Sequence, residues 1–245
     1  MTQPFDSSQD LKDAPRVANP ALRPRDAATL IVVRRDGPEP RVLMGRRAEG
    51  HVFMASKWVF PGGRVDPTDR RVPAATELKP ETRVLLERGA TPSRARSLAM
   101  AAIRETFEET GVLLARSGAP RAGVGPWREF LERGALPDLA ALDYVARAIT
   151  PPGRTRRFDA RFFTADASAL ISLEPEAGCG ELDEIAWLPL SQTAGFDLPA
   201  ITRFVLGEVE ARLKDPGRAI PLVRMVRGRH VVEPMTPGQV AQFRD

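Results

Sequence analysis

Hydrophobic positions in this chain fall in short blocks, and the spacing inside each block separates strand from helix. Ala27–Arg34, AATLIVVR, is an almost unbroken apolar run, the pattern of a strand buried on both faces. Arg41–Arg46 reads as a second strand, and Asp36-Gly37-Pro38 between the two has hairpin-turn composition. Trp58-Val59-Phe60 runs into Pro61-Gly62-Gly63, a turn that no helix can pass through. Residues 63–90 read as irregular, with one helical piece over Glu81–Glu87.

The clearest element comes next. Thr91 is an N-cap residue, Pro92 suits the first helical position and Gly111 supplies a C-cap, so a helix is predicted to run to Thr110. Within it Ala99, Ile103, Phe107 and Thr110 recur at helical spacing and are assigned to the core. Downstream, Val112–Ala115 reads as a short strand, Trp127–Arg133 as helix and part of Leu139–Leu142 as helical. Arg157–Ala165 alternates like a strand, Ile185–Leu190 is another, Leu198–Leu213 a helix and Pro221–Val232 a last extended segment. Strands and helices alternating around one long helix predict an α/β fold, a mixed sheet in a sandwich.

Composition narrows the classes. A chain of 245 residues with 42% hydrophobic side chains can bury a sizeable core, which excludes whole-chain disorder. It reads as one domain over 27–245 behind a polar, proline-containing and flexible arm, Met1–Asp26. The single Cys179 makes no internal disulfide, and with His51 and His230 it is too little for a zinc cage. No apolar run reaches the ~20 residues of a membrane span, and the arm lacks a signal-peptide core. A cytoplasmic protein with no membrane partner is expected. Net charge is only +4, and the basic residues are almost all arginine, which a GC-rich bacterial genome explains while leaving room for an anionic substrate.

The chemistry concentrates in Arg104-Glu105-Thr106-Phe107-Glu108-Glu109-Thr110-Gly111-Val112. On a helix Glu105, Glu108 and Glu109 share one face, at i, i+3 and i+4. Their mutual repulsion, near the helix end where the dipole disfavours negative charge, is relieved by a hard divalent cation such as Mg²⁺ or Mn²⁺. Arg104, four residues before Glu108, can orient or partly neutralise the cluster. A solvated acidic helix face is the plain alternative for a charge run alone.

The whole pattern resembles the signature of the Nudix hydrolases, G-x5-E-x7-R-E-U-x-E-E-x-G-U, with U a bulky apolar residue. Arg104, Glu105, Glu108, Glu109, Gly111 and Val112 meet its second half, with Thr106 at the first U, and Phe60-Pro61-Gly62-Gly63 resembles its lead-in. The resemblance implies a Nudix fold, a mixed β-sheet in an α/β/α sandwich. It also implies metal-dependent hydrolysis of a nucleoside diphosphate linked to another group. Metal ligands would be Glu105, Glu108, Glu109 and the Gly63 carbonyl, with Arg104 among the catalytic set. From Gly63 to Arg104 there are 41 positions where the signature has 14, so the box carries 27 extra residues, placed at about 69–91. The position of the first glutamate is held by Asp69, where no helix is predicted. Glu181 and Glu184 are candidates for the general base, with loop solubility as their plain alternative.

Within the family the closest resemblance is to coenzyme A diphosphatases with an interrupted box. It rests on the interruption, on Phe53-Met54 ahead of the box and on Arg157-Phe158-Asp159-Ala160-Arg161-Phe162-Phe163 after it. Their upstream motif is half kept: Leu43, Arg47, Ala48 and Phe60 match, whereas Val52 and Ser56 stand where an Arg and a Gly belong. Arg46, Arg47, Arg156 and Arg157 are candidates for gripping phosphate, with Phe60 and Gly62 set against the substrate. Trp58 or Phe162 could stack on a base, although aromatics at strand positions are usually core. Cys179, His51 and His230 receive no role. The insertion is expected to form a lid or specificity wall.

Other readings stay open: an NADH- or ADP-ribose-type pyrophosphatase, a Nudix-fold binding module without turnover, and an RNA-end hydrolase. The last draws on the basic stretch Arg218–Arg229, which has no interleaved tyrosine or tryptophan to stack bases.

Overall fold

The computed structural model describes residues 5, 22–48, 56–176 and 180–235. Its first half contains β1 (Arg25–Arg34), β2 (Arg41–Arg47), β3 (Trp58–Val59), β4 (Gly62–Arg64), α1 (Pro80–Glu87), α2 (Pro92–Thr110) and β5 (Ala115–Ser117). The second half contains α3 (Arg128–Glu132), β6 (Ala135–Pro137), β7 (Asp143–Ile149), β8 (Phe158–Asp166), β9 (Leu182–Pro189), α4 (Ala200–Lys214), β10 (Pro221–Val226) and β11 (Arg229–Pro234). The main sheet runs β11-β10-β7-β8-β1-β2-β3, with β4 also paired to β1 and β9 to β2. β1 lies parallel to β8 and β10 parallel to β7; the other pairings in that sheet are antiparallel.

The apolar run of β1 is buried on both sides, as its composition requires. Ala28, Leu30 and Val32 join one core with Leu98, Ile103 and Phe107 of α2. Ile31 and Val33 join the other with Val205 and Val209 of α4. This is the expected α/β/α sandwich, in which each fully buried aliphatic side chain contributes ~1.5–3 kcal/mol of transfer free energy.

One register feature positions the site. β2 pairs with β1 at Val33↔Val42 and Arg34↔Arg41, and β4 takes the earlier part of β1, from Ala27↔Arg64 to Thr29↔Gly62. Gly62 and Gly63 therefore lie within the sheet, against α2.

The long helix has the predicted bounds, with Thr91 accepting from the backbone N–H of Arg94 and Gly111 at φ 72°. Elsewhere the structure differs in instructive ways. Residues 111–113 carry no strand, and β5 begins only at Ala115, pairing with β6. β7 has no strand signal in the sequence, because Asp143 and Arg147 interrupt its apolar pattern. Arg147 is buried there only because Asp159 neutralises it at 2.8 Å. Pro221–Val232 is a hairpin rather than one strand: Arg227 and Gly228 both take positive φ, 47° and 78°, as a two-residue turn requires. β4 and the 3-10 turn Pro67–Arg70 occupy ground read as irregular, the latter placing one helical turn at Asp69. Arg25 and Asp26, assigned to the arm, begin β1, and Phe5 packs its ring on Phe204 and His230.

The inserted segment is not principally a lid. Val72, Leu86 and Ala90 belong to the core beneath α2, and α1 packs on α2 and β7. Only its first residues, Arg70 and Arg71, line the cleft described below. A buried ionic knot fastens its far end: Arg161 donates to the Gly89 carbonyl at 3.1 Å and pairs with Asp159 at 2.8 Å.

Candidate active site

α2 presents its acidic face to the edge of β4, and the contact is close enough to dictate both glycines. A Cβ on Gly63 would lie 2.4 Å from Oε2 of Glu105, and one on Gly62 would lie 2.6 Å from the Ala28 carbonyl oxygen. Both approaches are below any real contact distance: at Gly62 the obstacle includes backbone, which only glycine avoids, and at Gly63 it is the Glu105 carboxylate, which a larger residue would displace. The gain is a direct hydrogen bond: the Gly62 N–H donates to Oε2 of Glu109 at 3.1 Å.

Arg104 is the hub. Its Nε and Nη2 donate to the two oxygens of Asp69 at 2.8 and 3.1 Å, and Nη2 also donates to the Arg64 carbonyl at 2.8 Å. Nη1 donates to Glu105 at 2.9 Å and to Glu108 at 2.8 Å. Asp69 is fully buried and further accepts from the indole N–H of Trp127 at 2.8 Å and the backbone N–H of Asp66 at 2.7 Å. Asp66 caps the turn in return by accepting from Thr68. Asp69 is thus the anchor of Arg104 rather than a cleft residue. Asp66-Pro67-Thr68-Asp69 has the spacing of a capped turn with proline at its first position, a signal that could have placed it. Nothing local in the sequence pointed to Trp127.

The carboxylates pay for their setting in proton affinity. Burial pushes Glu109 up to about 8, against the pull of the Gly62 N–H and the Arg47 charge. Burial pushes Glu105 up to about 6, opposed by Arg104. Glu108 is raised for the same reason and with the same opposition.

Glu105, Glu108, Glu109, Arg104, Gly62, Gly63, Phe60 and Arg47 all line one open cleft of about 1170 Å³. Arg156, Phe162 and Glu181 line it too. Arg46 points elsewhere and pairs with Glu184 at 3.3 Å, which occupies both candidates. Arg157 is likewise spent on structure, donating to the carbonyls of Thr150 at 3.1 Å and Leu22 at 2.6 Å. Trp58 packs in the core against Phe196 at 5.5 Å, so the core reading holds for it. His51, Val52, Phe53, Met54 and Cys179 lie outside the described residues. Ser56, at the expected glycine position, has φ 60°, the left-handed conformation that favours glycine.

The donor set suits a hard divalent ion. It consists of carboxylate oxygens whose ionisation burial penalises, beside a glycine stripped of side-chain bulk. Among the described residues, no three acidic, His or Cys side chains are gathered closely enough to hold an ion by themselves.

The NUDIX domain family matches residues 23–205. The chain belongs to the Nudix family. A solved NUDIX hydrolase from Alicyclobacillus acidocaldarius is 30% identical, covers 79% of this chain and 97% of its own, and superposes with a TM-score of 0.56. The acyl-coenzyme A diphosphatase NUDT19 of Gallus gallus is 29% identical over 234 aligned positions. That alignment takes in 69% of this chain and 61% of the longer relative, so this chain spans about three-fifths of it. In this chain Gly62 and Gly63 lie on β4 and Arg104, Glu105, Glu108 and Glu109 on α2, with the 3-10 turn and α1 between them.

Proposed function

We propose that this Nudix protein hydrolyses a nucleoside diphosphate linked to a second group, with coenzyme A or an acyl-coenzyme A as the favoured substrate. The observation that carries the hydrolase reading is the Arg104 hub: one guanidinium holds Glu105 and Glu108 on the wall of a cleft that Glu109 also lines. A divalent cation bound there would neutralise the diphosphate and lower the pKa of an attacking water. The chain's own residues prepare the rest. Asp69 and Trp127 lock Arg104, Arg104 orients two carboxylates, and the Gly62 N–H orients the third. Glu181 lines the cleft whereas Glu184 does not, so Glu181 stands as the general base.

Water adds to one phosphorus, the P–O bond of the anhydride breaks, and each product leaves with a phosphate. For coenzyme A these products are adenosine 3′,5′-bisphosphate and 4′-phosphopantetheine. Likeness to an acyl-coenzyme A diphosphatase and the interrupted box support that substrate over NADH or ADP-ribose. The RNA reading is weakened: of the four arginines in the basic stretch, Arg218 pairs with Glu208 at 3.2 Å and Arg224 with Glu233 at 2.6 Å.

The test is a chromatographic assay with Mg²⁺ or Mn²⁺, offering coenzyme A, acetyl-coenzyme A, NADH, ADP-ribose and capped RNA side by side. Selective cleavage of the coenzyme A compounds is expected. Preference for NADH or ADP-ribose would transfer the protein to that substrate class, and no cleavage of any of them would move the binding-module reading to the front.

A further inference from the structure

One end of the cleft is built from arginines that the Arg104 hub does not use. Ala27 of β1 stands directly opposite Arg64 of β4, and Arg25 stands opposite Phe158 of β8. Directly paired residues share a face of the sheet, as do positions two apart on a strand. Arg25 and Arg64 are therefore diagonal neighbours on one face, and Arg156 precedes Phe158 by two residues. All three line the cleft, and Arg70 and Arg71 border it from the 3-10 turn.

These arginines have no carboxylate partner among the described residues, whereas many of the surface arginines do. Arg34 pairs with Asp36, Arg96 with Glu77, and Arg133 with both Glu129 and Glu176. The two acids nearest the bay are already engaged: Asp26 with Arg94 and Arg161, Asp66 with Thr68. Cations brought together on one sheet face without a counter-charge repel one another, a cost that a dianion between them removes. The backbones beneath are held firmly. Arg104 takes the Arg64 carbonyl at 2.8 Å, and Arg96 takes the Val72 carbonyl at 3.1 Å.

We propose that Arg25, Arg64 and Arg156 form a subsite for a phosphomonoester on the ribose of the substrate, separate from the diphosphate that meets the glutamates. The inference rests on the nucleotide reading above and deepens it, since ADP-ribose and NADH lack such a group. Two sources share this chemistry, a 3′-phosphate and a 2′-phosphate, and the experiment separates them.

The experiment is calorimetric binding of three mononucleotides to the full-length protein without turnover: AMP, adenosine 3′,5′-bisphosphate and adenosine 2′,5′-bisphosphate. At least one bisphosphate should bind about tenfold or more tightly than AMP, in line with a charge-assisted contact. In the triple variant Arg25→Ser, Arg64→Ser, Arg156→Ser that ratio should fall to near one, with an unchanged circular dichroism spectrum verifying the fold. Single Arg156→Ser, on an exposed loop position, gives the same reading if the triple variant does not fold. Preference for the 3′-phosphate agrees with coenzyme A. Preference for the 2′-phosphate keeps the subsite but removes the coenzyme A reading. Equal affinity for AMP and both bisphosphates overturns the subsite whatever substrate the turnover assay identifies.

Discussion

Arg104 and Asp69 stand 35 positions apart in sequence and meet as a buried two-pronged ion pair, with N–O distances of 2.8 and 3.1 Å. The pair closes the whole insertion into a loop whose two ends are locked at the site. It also leaves Arg104 free to hold Glu105 and Glu108 with its remaining nitrogen. Asp69→Ala would strand that guanidinium and the Trp127 indole N–H in a dry interior. The expected cost is about 3–5 kcal/mol, the range for breaking a buried pair, read as a lowered midpoint in urea unfolding.

Gly63→Ala tests the closeness of β4 and α2. With only 2.4 Å available to the new Cβ, the Glu105 carboxylate must move by about an ångström. Displacement of that size costs on the order of 100-fold in turnover. The substitution should fold, and steady-state kinetics against the best substrate should show the loss in kcat rather than KM.

Glu105→Gln and Glu109→Gln should each abolish turnover while leaving the circular dichroism spectrum unchanged. Full activity in either variant would remove the proposed metal site.

A pH dependence of stability follows from Glu109. Its folded-state pKa, about 8, lies above the ordinary value of 4.5, so the metal-free fold binds the proton more tightly than the unfolded chain does. Its contribution is full below pH 4.5 and is lost progressively as pH rises toward 8. Metal-free protein should therefore melt at a lower temperature at pH 8 than at pH 5. Glu109→Gln should flatten this slope, and a saturating divalent ion should oppose it.

Asp159 has the opposite sign. Arg147, Arg161 and Arg94 hold it below its ordinary value of 3.8 despite burial. Its contribution is present above pH 3.8 and is lost as pH falls through the lower folded value. Asp159→Asn should cost about 3–5 kcal/mol at neutral pH and shift acid unfolding upward, as seen by tryptophan fluorescence.

The long helix was legible to its last residue because its signals are local: a Thr–Pro start, a Gly stop and a 3.6-residue apolar period act within one turn of chain. Glu105, Glu108 and Glu109 were legible for the same reason. β7 was not, since Asp143 and Arg147 read as solvent-facing until Asp159, on the neighbouring strand, supplies a counter-charge. Arg156 and Arg157 were alike in sequence. Only the sheet turned the first to the cleft and the second to the carbonyls of Thr150 and Leu22.

The sequence by itself determined the family, the acidic face and the two glycines, because each follows from residue type at fixed spacing along one element. Tertiary structure alone decided that Asp69 anchors Arg104, that the insertion packs into the core, and that Arg25, Arg64 and Arg156 converge. Those outcomes depend on strand register, and register brings together residues whose separation in sequence says nothing about their distance in space.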